Sequence, residues 1–142
     1  MRVFVDANIP MYAAGRSHPS KESSAEFLRA VGRRRVDAVS DVEVLQEILH
    51  RYRAVRRGAD GFVVFDSFAT TVRLFHPVLL EDLWECRAIL ARHDTVRPRD
   101  AIHAAVMLRT GVRTIVSYDR HFDELPGIVR VTPAEALIQV KS

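Results

Sequence analysis

Apolar residues follow two patterns along the chain: short continuous runs, and longer stretches in which they recur every three or four positions. The short runs predict five strands, which span residues 2–5, 36–39, 72–75, 114–117 and 128–131. The longer stretches predict helices, which span residues 9–14, 19–32, 41–52, 62–71, 80–92 and 98–108 and begin again at 133. Continuous apolar strands that alternate with helices are typical of a parallel sheet covered on both faces. The pattern therefore predicts an α/β fold with three layers, α/β/α, around a central, mostly parallel five-stranded sheet.

Polar and small residues mark the predicted helix boundaries. Ser40 or Asp41 caps the third helix, and Gly58 and Gly61 end it. The chain has no linker, no low-complexity tract and no internal repeat. Its length of 142 residues is close to the commonest size of a domain, so we expect residues 1–142 to form a single domain.

The composition excludes several classes of protein. Hydrophobic residues make up 48% of the chain and charged residues 27%, which is ordinary for a globular protein. The single cysteine, Cys86, excludes an internal disulfide and a zinc site built from thiolates. Asp6, Asn8 and Pro10 interrupt the first apolar run, and no run is long enough for a transmembrane helix. We therefore expect a cytoplasmic protein without a membrane partner.

The positive charge of the chain is carried almost wholly by arginine. Lysine and arginine together number 21 against 18 acidic residues, a net charge of +3, and only Lys21 and Lys141 are lysines. The planar guanidinium fork suits phosphate oxygens, so this balance is compatible with nucleic-acid binding. A GC-rich genome also produces arginine-rich surfaces, so the charge alone leaves the partner open.

Four acidic residues fall where chemistry is expected in a parallel sheet, outside the carboxyl ends of the strands. Asp6 follows the first predicted strand directly, and Asp119 follows the fourth. Asp100 lies in the first turn of the helix that Pro98 opens, where the helix dipole favours a carboxylate. Glu47 lies at the border of the apolar stripe of the third helix.

Carboxylates gathered from separate segments are typical ligands of Mg²⁺ or Mn²⁺, which can activate a water and stabilise charge on phosphoryl oxygens. Each acid also has a simpler explanation as a turn residue, a helix cap or, for Glu47, a partner of Arg51. The combination of all four favours a metal site. The chain has no serine–histidine–aspartate spacing, glycine-rich phosphate loop or HExxH motif that would support a competing chemistry.

Four segments that contain these acids resemble the acidic blocks of PIN-domain ribonucleases. They are RVFVDAN at 2–8, SDVEVLQEIL at 40–49, RDAIHAA at 99–105 and VSYDRHFD at 116–123. The resemblance spans nearly the whole chain, and the length is similar to that of the VapC-type toxins of VapBC modules. It implies a PIN-like α/β/α fold, Mg²⁺- or Mn²⁺-dependent hydrolysis of RNA, a cognate VapB-type antitoxin that blocks the site, and a homodimer.

The resemblance also implies roles for individual residues. Asp6 and Asp100 are the principal metal ligands, and Asp119 completes the metal site or binds the ion through water. Glu47 orients the attacking water, so all four acids are both catalytic and metal-site residues. The side chains that hold or supplement these carboxylates are Asn8, Ser40 and Asp123. Glu43 is an alternative to Glu47.

Four arginines near the acidic blocks are the predicted RNA contacts: Arg16, Arg97, Arg99 and Arg120. We expect them to hold phosphates and so to position the strand without reading its sequence. The arginines at 33–35, 51, 53, 56 and 57 are interpreted as solvated helix ends. His103 follows Asp100 by three residues, and its role stays open between substrate contact and a buried structural histidine.

Three other classes of protein fit the sequence less well than a nuclease does. A phosphotransfer receiver domain needs a lysine after a late strand, and the chain has none there. A phosphatase of the haloacid dehalogenase type needs a second aspartate where Asn8 stands. The remaining alternative is a non-catalytic RNA- or protein-binding module that retains the PIN fold, against which the intact set of four acids argues.

Overall fold

The computed structural model describes residues 1–141, with side chains through residue 140, as five strands and seven α-helices. The strands are β1 (Arg2–Val5), β2 (Asp37–Asp41), β3 (Leu74–His76), β4 (Thr114–Val116) and β5 (Val129–Val131). The helices are α1 (Asn8–Ala14), α2 (Pro19–Gly32), α3 (Val42–Ala54), α4 (Gly58–Thr71), α5 (Leu80–Arg92), α6 (Pro98–Thr110) and α7 (Pro133–Lys141). A short 3₁₀-helix, Arg120–Glu124, joins β4 to β5. No helix within residues 1–141 is both long enough and apolar enough to cross a membrane.

The five strands form one sheet in the order β3-β2-β1-β4-β5, and every neighbouring pair is parallel. The predicted α/β fold is therefore confirmed. The chain moves outward from β1 through β2 to β3 and then returns, by way of α5 and α6, to β4 on the other side of β1. The direction of travel changes between β1 and β4, which is where parallel sheets bind their ligands.

The central strands are buried on both faces, as their continuous apolar runs predict. Phe4 and Val5 of β1 and Ile115 and Val116 of β4 have no exposed surface. The same core contains large, fully buried side chains from the helices, such as Phe27 of α2 and Ile48 of α3. Because these two strands are fixed in the core, the residues that follow them are held at defined positions along the sheet edge.

One helix begins earlier than the glycines predicted. The sequence places Gly58 and Gly61 in a break before a helix at Phe62, whereas α4 already begins at Gly58 and includes Gly61. A Cβ atom at Gly61 would lie 2.7 Å from the Cβ of Tyr52. The glycine thus allows α4 to pack closely against α3. The break itself lies at Arg56, whose φ of 59° turns the chain after α3.

Strand boundaries differ from the prediction by one or two residues. β3 begins at Leu74 instead of Val72, because the N–H of Val72 still donates to the Phe68 carbonyl at the end of α4. β2 extends to Asp41, which pairs with His76, and the side chain of Asp41 then caps α3 by accepting from the N–H of Val44. Asp41, not Ser40, is therefore the cap of that helix.

Candidate active site

Asp6 and Ser117 lie side by side at the carboxyl edge of the sheet. Val5 is paired with Val116, so the residues that follow them are adjacent in the parallel register. Ser117 Oγ donates to Asp6 Oδ2 at 2.7 Å, and the N–H of Ala7 donates to Asp6 Oδ1 at 2.8 Å. Both oxygens of a buried carboxylate are therefore held in a fixed orientation.

Asn8 adds a further contact to this pair. Its Nδ2 lies 3.4 Å from Asp6 Oδ2 and 3.2 Å from Ser117 Oγ. The Ser117 hydroxyl also accepts from the N–H of Asp119 at 3.0 Å. Ser117 therefore links Asp6 to Asp119. The sequence predicted no role for Ser117, because its contact with Asp6 depends on the register that pairs Val5 with Val116.

Asp100 and Asp119 are joined by one arginine. Arg97 Nε lies 3.2 Å from Asp100 Oδ2, and Arg97 Nη2 lies 2.6 Å from Asp119 Oδ2. The first turn of α6 carries Asp100, while Asp119 precedes the 3₁₀-helix and accepts from the N–H of His121 at 2.9 Å. Two carboxylates from distant segments thus share a single guanidinium.

His103 lies between Glu47 and the other acids. His103 Nδ1 donates to Asp41 Oδ2 at 2.8 Å, and its Nε2 lies 3.7 Å from Glu47 Oε1 and 4.0 Å from Asp6 Oδ1. Glu47 Oε1 and His103 Nε2 are buried, and neither has a hydrogen-bond partner among the described residues. Arg99 and Arg51 approach the other oxygen, Glu47 Oε2, at 3.5 and 3.6 Å.

The structure therefore brings the four predicted acids to one edge of the sheet. Asp6, Asp100 and His103 each offer a ligand atom, and these atoms lie within 4.8 Å of one another. Glu47 is next to this group because it lies beside His103. Asp119 is connected to the group by the hydrogen bond of its N–H to Ser117 and by its ion pair with Arg97. Burial of so many carboxylates in one place is unfavourable unless cations compensate for it.

Crowding perturbs the ionisation of these acids. Burial, together with the neighbouring charges of Asp6 and Asp119, raises the pKa of Asp100 to about 7. Burial also raises the pKa of Asp6, against the opposing influence of His103. Although burial disfavours the charge on Glu47, its contacts with His103 and Arg99 hold the pKa below the usual value. Asp6 and Asp100 are thus the acids with most to gain from a bound cation.

The acids around His103 favour its positively charged form. Burial disfavours the imidazolium, but the carboxylates of Asp41, Glu47 and Asp6 raise the pKa of His103 well above its ordinary value. With both ring nitrogens protonated, Nδ1 donates to Asp41 and the N–H of Nε2 points towards Glu47 and Asp6. The sequence left the role of His103 open and treated Asp41 only as a cap, so this buried pair is a finding of the structure.

Two residues expected to hold or supplement the carboxylates lie elsewhere. Ser40 donates to the Val5 carbonyl at 2.8 Å and so joins β2 to β1 without touching a carboxylate. Asp123 forms a two-pronged ion pair with Arg130 at 3.0 and 3.1 Å and is half exposed. Asp123 was expected one helical turn beyond Asp119, but a 3₁₀-helix has three residues per turn, so the fourth position faces another way.

A groove of about 950 Å³ leads along the surface to Asp119. Arg16, Arg97 and Arg99 line it, whereas Arg120 is exposed and lies outside its lining. Two arginines that the sequence assigned to solvated helix ends also face the groove, and their assignment is corrected accordingly: Arg51 and Arg57. Aromatic side chains complete the walls, and they are Tyr12, His18, His50, Tyr52 and Tyr118.

Comparison with known proteins places this arrangement in a family. The family model of the PIN domain matches residues 3–128. Ribonuclease VapC13 of Mycobacterium tuberculosis is 40% identical over 129 residues, which cover 91% of this chain and 98% of that protein. Ribonuclease VapC23 of the same species is 35% identical over 120 residues, which cover 82% of this chain and 92% of that protein.

A solved structure agrees with this assignment at the level of the fold. The crystal structure of VapBC2 from Rickettsia felis, bound to a DNA fragment from their promoter, matches with a TM-score of 0.72. The match covers 93% of this chain and 98% of that chain at 16% identity. The resemblance stated from the four acidic segments is confirmed by the family model and by the sequence relatives. The chain belongs to the PIN-domain family and, within it, to the VapC ribonucleases.

Proposed function

We propose that this ribonuclease hydrolyses RNA with a divalent cation, Mg²⁺ or Mn²⁺, held by Asp6, Asp100 and Asp119, with Glu47 beside it. The observation that carries the proposal is the convergence of four largely buried carboxylates from four segments at the switch point of the sheet. Relatives that match almost the whole chain are named ribonucleases, which supports the same activity.

The residues present fit a hard divalent cation. The three proposed ligands and Glu47 offer only carboxylate oxygens, the donors that Mg²⁺ and Mn²⁺ prefer, and the one cysteine lies in α5. Asp6 and Asp100 have raised pKa values, so a cation there would relieve repulsion that the protein now bears. Such an ion lowers the pKa of water and offsets charge on the phosphoryl oxygens.

The surrounding side chains would orient the reacting groups. Ser117 and the N–H of Ala7 fix both oxygens of Asp6, so this ligand needs no reorganisation when substrate arrives. Glu47 Oε1 is buried and without a hydrogen-bond partner among the described residues, and the pKa of Glu47 is lowered. Glu47 therefore stays ionised at neutral pH and can accept a hydrogen bond from the attacking water.

The groove would hold the RNA strand. Arg16, Arg97 and Arg99 line it beside the acids and are suited to phosphate oxygens. Such contacts position the strand and contribute affinity that falls as salt rises. Arg120 would touch only RNA that extends beyond the groove.

The same family membership supports a VapB-type antitoxin as the partner and the cytoplasm as the location. A further relative in fold is the crystal structure of DNA-bound VapBC from Salmonella typhimurium, with a TM-score of 0.71 and 17% identity. We also propose that the protein forms a homodimer. The alternative of a non-catalytic binding module conflicts with the intact set of four acids.

Cleavage of total RNA in the presence and absence of a divalent cation tests the proposed function. Wild type should cut RNA with Mg²⁺ or Mn²⁺ and not with EDTA, and sequencing the new ends should give a defined set of sites. Asp100→Asn should abolish the cleavage, whereas Asp123→Asn should retain it because its carboxylate pairs with Arg130. Cleavage that persists in EDTA, or full activity of Asp100→Asn, would exclude the proposed metal site.

A further inference from the structure

Arg97 holds two of the four carboxylates at once. Its guanidinium contacts Oδ2 of both Asp100 and Asp119, at 3.2 and 2.6 Å. The Asp100 and Asp119 side chains are 6% and 12% exposed, whereas the Arg97 side chain is 58% exposed. The guanidinium therefore covers both carboxylates from the solvent side, at the point where the groove reaches the acids.

A divalent cation would compete with Arg97 for these atoms. Mg²⁺ binds carboxylate oxygens at about 2.1 Å and tolerates little distortion of its octahedral geometry. A guanidinium that hydrogen-bonds to the same oxygens occupies part of the space around them and repels the ion. Arg97 must therefore leave at least one of its two carboxylates when a cation binds there.

The groove offers Arg97 an alternative partner. Arg97 immediately precedes α6, its long side chain is mostly exposed, and it lines the groove together with Arg16 and Arg99. A guanidinium released from the acids would lie next to the strand and could bind a phosphate through two parallel hydrogen bonds.

We propose that Arg97 is a displaceable internal counter-ion: it neutralises Asp100 and Asp119 before the cation binds, and it binds an RNA phosphate afterwards. The proposal rests on the proposed function for the position of the cation. Cation binding and RNA binding are then interdependent. A bound cation displaces Arg97 from the acids towards the RNA phosphate, and a bound RNA phosphate draws Arg97 away from the acids and so favours the cation. By linkage, RNA must tighten cation binding by the same factor as the cation tightens RNA binding.

Binding of Mn²⁺, followed by electron paramagnetic resonance without RNA, tests the first half of the proposal. Arg97→Gln should bind Mn²⁺ about fivefold more tightly than wild type, because the ion no longer displaces a paired guanidinium. Arg16→Gln is the matched control, since it removes the same charge from the same groove but Arg16 has no ion pair among the described side chains. Its Mn²⁺ affinity should stay within about twofold of wild type.

The second half is tested by steady-state cleavage of a short RNA at saturating Mg²⁺. Both variants should raise KM for RNA, by about threefold to tenfold for each lost phosphate contact. Arg97→Gln alone should thus bind Mn²⁺ more tightly and RNA more weakly than wild type. Arg97→Lys, which keeps the charge but loses the two-pronged fork, should give intermediate Mn²⁺ affinity and serves if the glutamine variant does not fold.

The outcomes separate this proposal from the proposed function. Unchanged or weaker Mn²⁺ binding in Arg97→Gln would overturn the counter-ion role, and so would equal tightening in Arg16→Gln, which would indicate a general charge effect. An unchanged KM in Arg97→Gln would overturn the phosphate contact. If neither wild type nor any variant cleaves RNA but the Mn²⁺ affinities differ as expected, the counter-ion role stands and the proposed ribonuclease function is wrong.

Discussion

Replacing Asp100 by asparagine should stabilise the metal-free protein while abolishing its activity. The ordinary pKa of this carboxyl is 3.8, and burial together with Asp6 and Asp119 raises it to about 7. Between these two values the folded protein binds a proton that the unfolded chain has released. Stability conferred by that proton is therefore lost as the pH rises from about 4 to about 7.

The size of the effect follows from the shift. About three pKa units at 1.36 kcal/mol each give a penalty on the order of 4 kcal/mol once Asp100 is fully ionised. Asparagine has no charge to bury and can still accept a hydrogen bond from Arg97, and the attraction of the guanidinium is already included in the raised pKa. We therefore expect a gain of about 4 kcal/mol at pH 8, which raises Tm by roughly 10 °C for a chain of this size.

Thermal melts in EDTA at pH 8 and pH 5 measure this effect. The difference between the two proteins should fall to less than half at pH 5 and should disappear near pH 3, where Asp100 is protonated in both the folded and the unfolded chain. Mg²⁺ at about 100 times its Kd should stabilise wild type by ~2.7 kcal/mol and leave Asp100→Asn unchanged. An aspartate that only begins a helix stabilises it by ~0.3–1 kcal/mol. A lower Tm for the variant in EDTA, with equal shifts on adding Mg²⁺, would therefore refute the reasoning.

Three further substitutions test other parts of the structure. Gly61→Ala places a Cβ 2.7 Å from that of Tyr52 and should lower the free energy of unfolding in urea by about 1–3 kcal/mol; an unchanged midpoint would contradict the close packing. Ser117→Ala frees one oxygen of Asp6 and should weaken Mn²⁺ binding about tenfold, and an unchanged Mn²⁺ titration would remove its proposed role. Arg109→Ala leaves the carboxylate of Asp82 buried without its ion-pair partner, so urea unfolding should show a loss of ~3 kcal/mol in stability. Arg92→Ala is the control and should cost much less, because its partner Glu85 is exposed.

The sequence predicted the fold and the acids because both depend on local patterns. Continuous apolar runs identify β1 and β4, and parallel strands bring the residues after them to one edge, so Asp6 and Asp119 could be placed from spacing alone. Asp100 and Glu47 could be placed because each lies at a recognisable position on a helix.

The residues that the sequence did not predict depend on the register of strands and on contacts between distant segments. Ser117 contacts Asp6 because Val5 pairs with Val116, and no local pattern encodes that register. The Asp41–His103 contact joins residues 62 positions apart, and a buried imidazolium depends on all the charges around it. Asp123 was misplaced because the segment after Asp119 adopts a 3₁₀-helix with a different periodicity.

The central claim is that these acids hold the cation on which RNA hydrolysis depends, and a Mg²⁺ titration tests it most directly. Two quantities are measured on the same preparations of wild type and Asp6→Asn: the initial rate of cleavage of one defined RNA strand, and the amount of bound Mn²⁺. Circular dichroism verifies that both proteins are folded. We expect the wild-type rate to rise from zero and saturate with the cation, while Asp6→Asn binds Mn²⁺ at least tenfold more weakly and cleaves no RNA. A folded Asp6→Asn protein that cleaves at the wild-type rate, with the same dependence on Mg²⁺, would contradict the account.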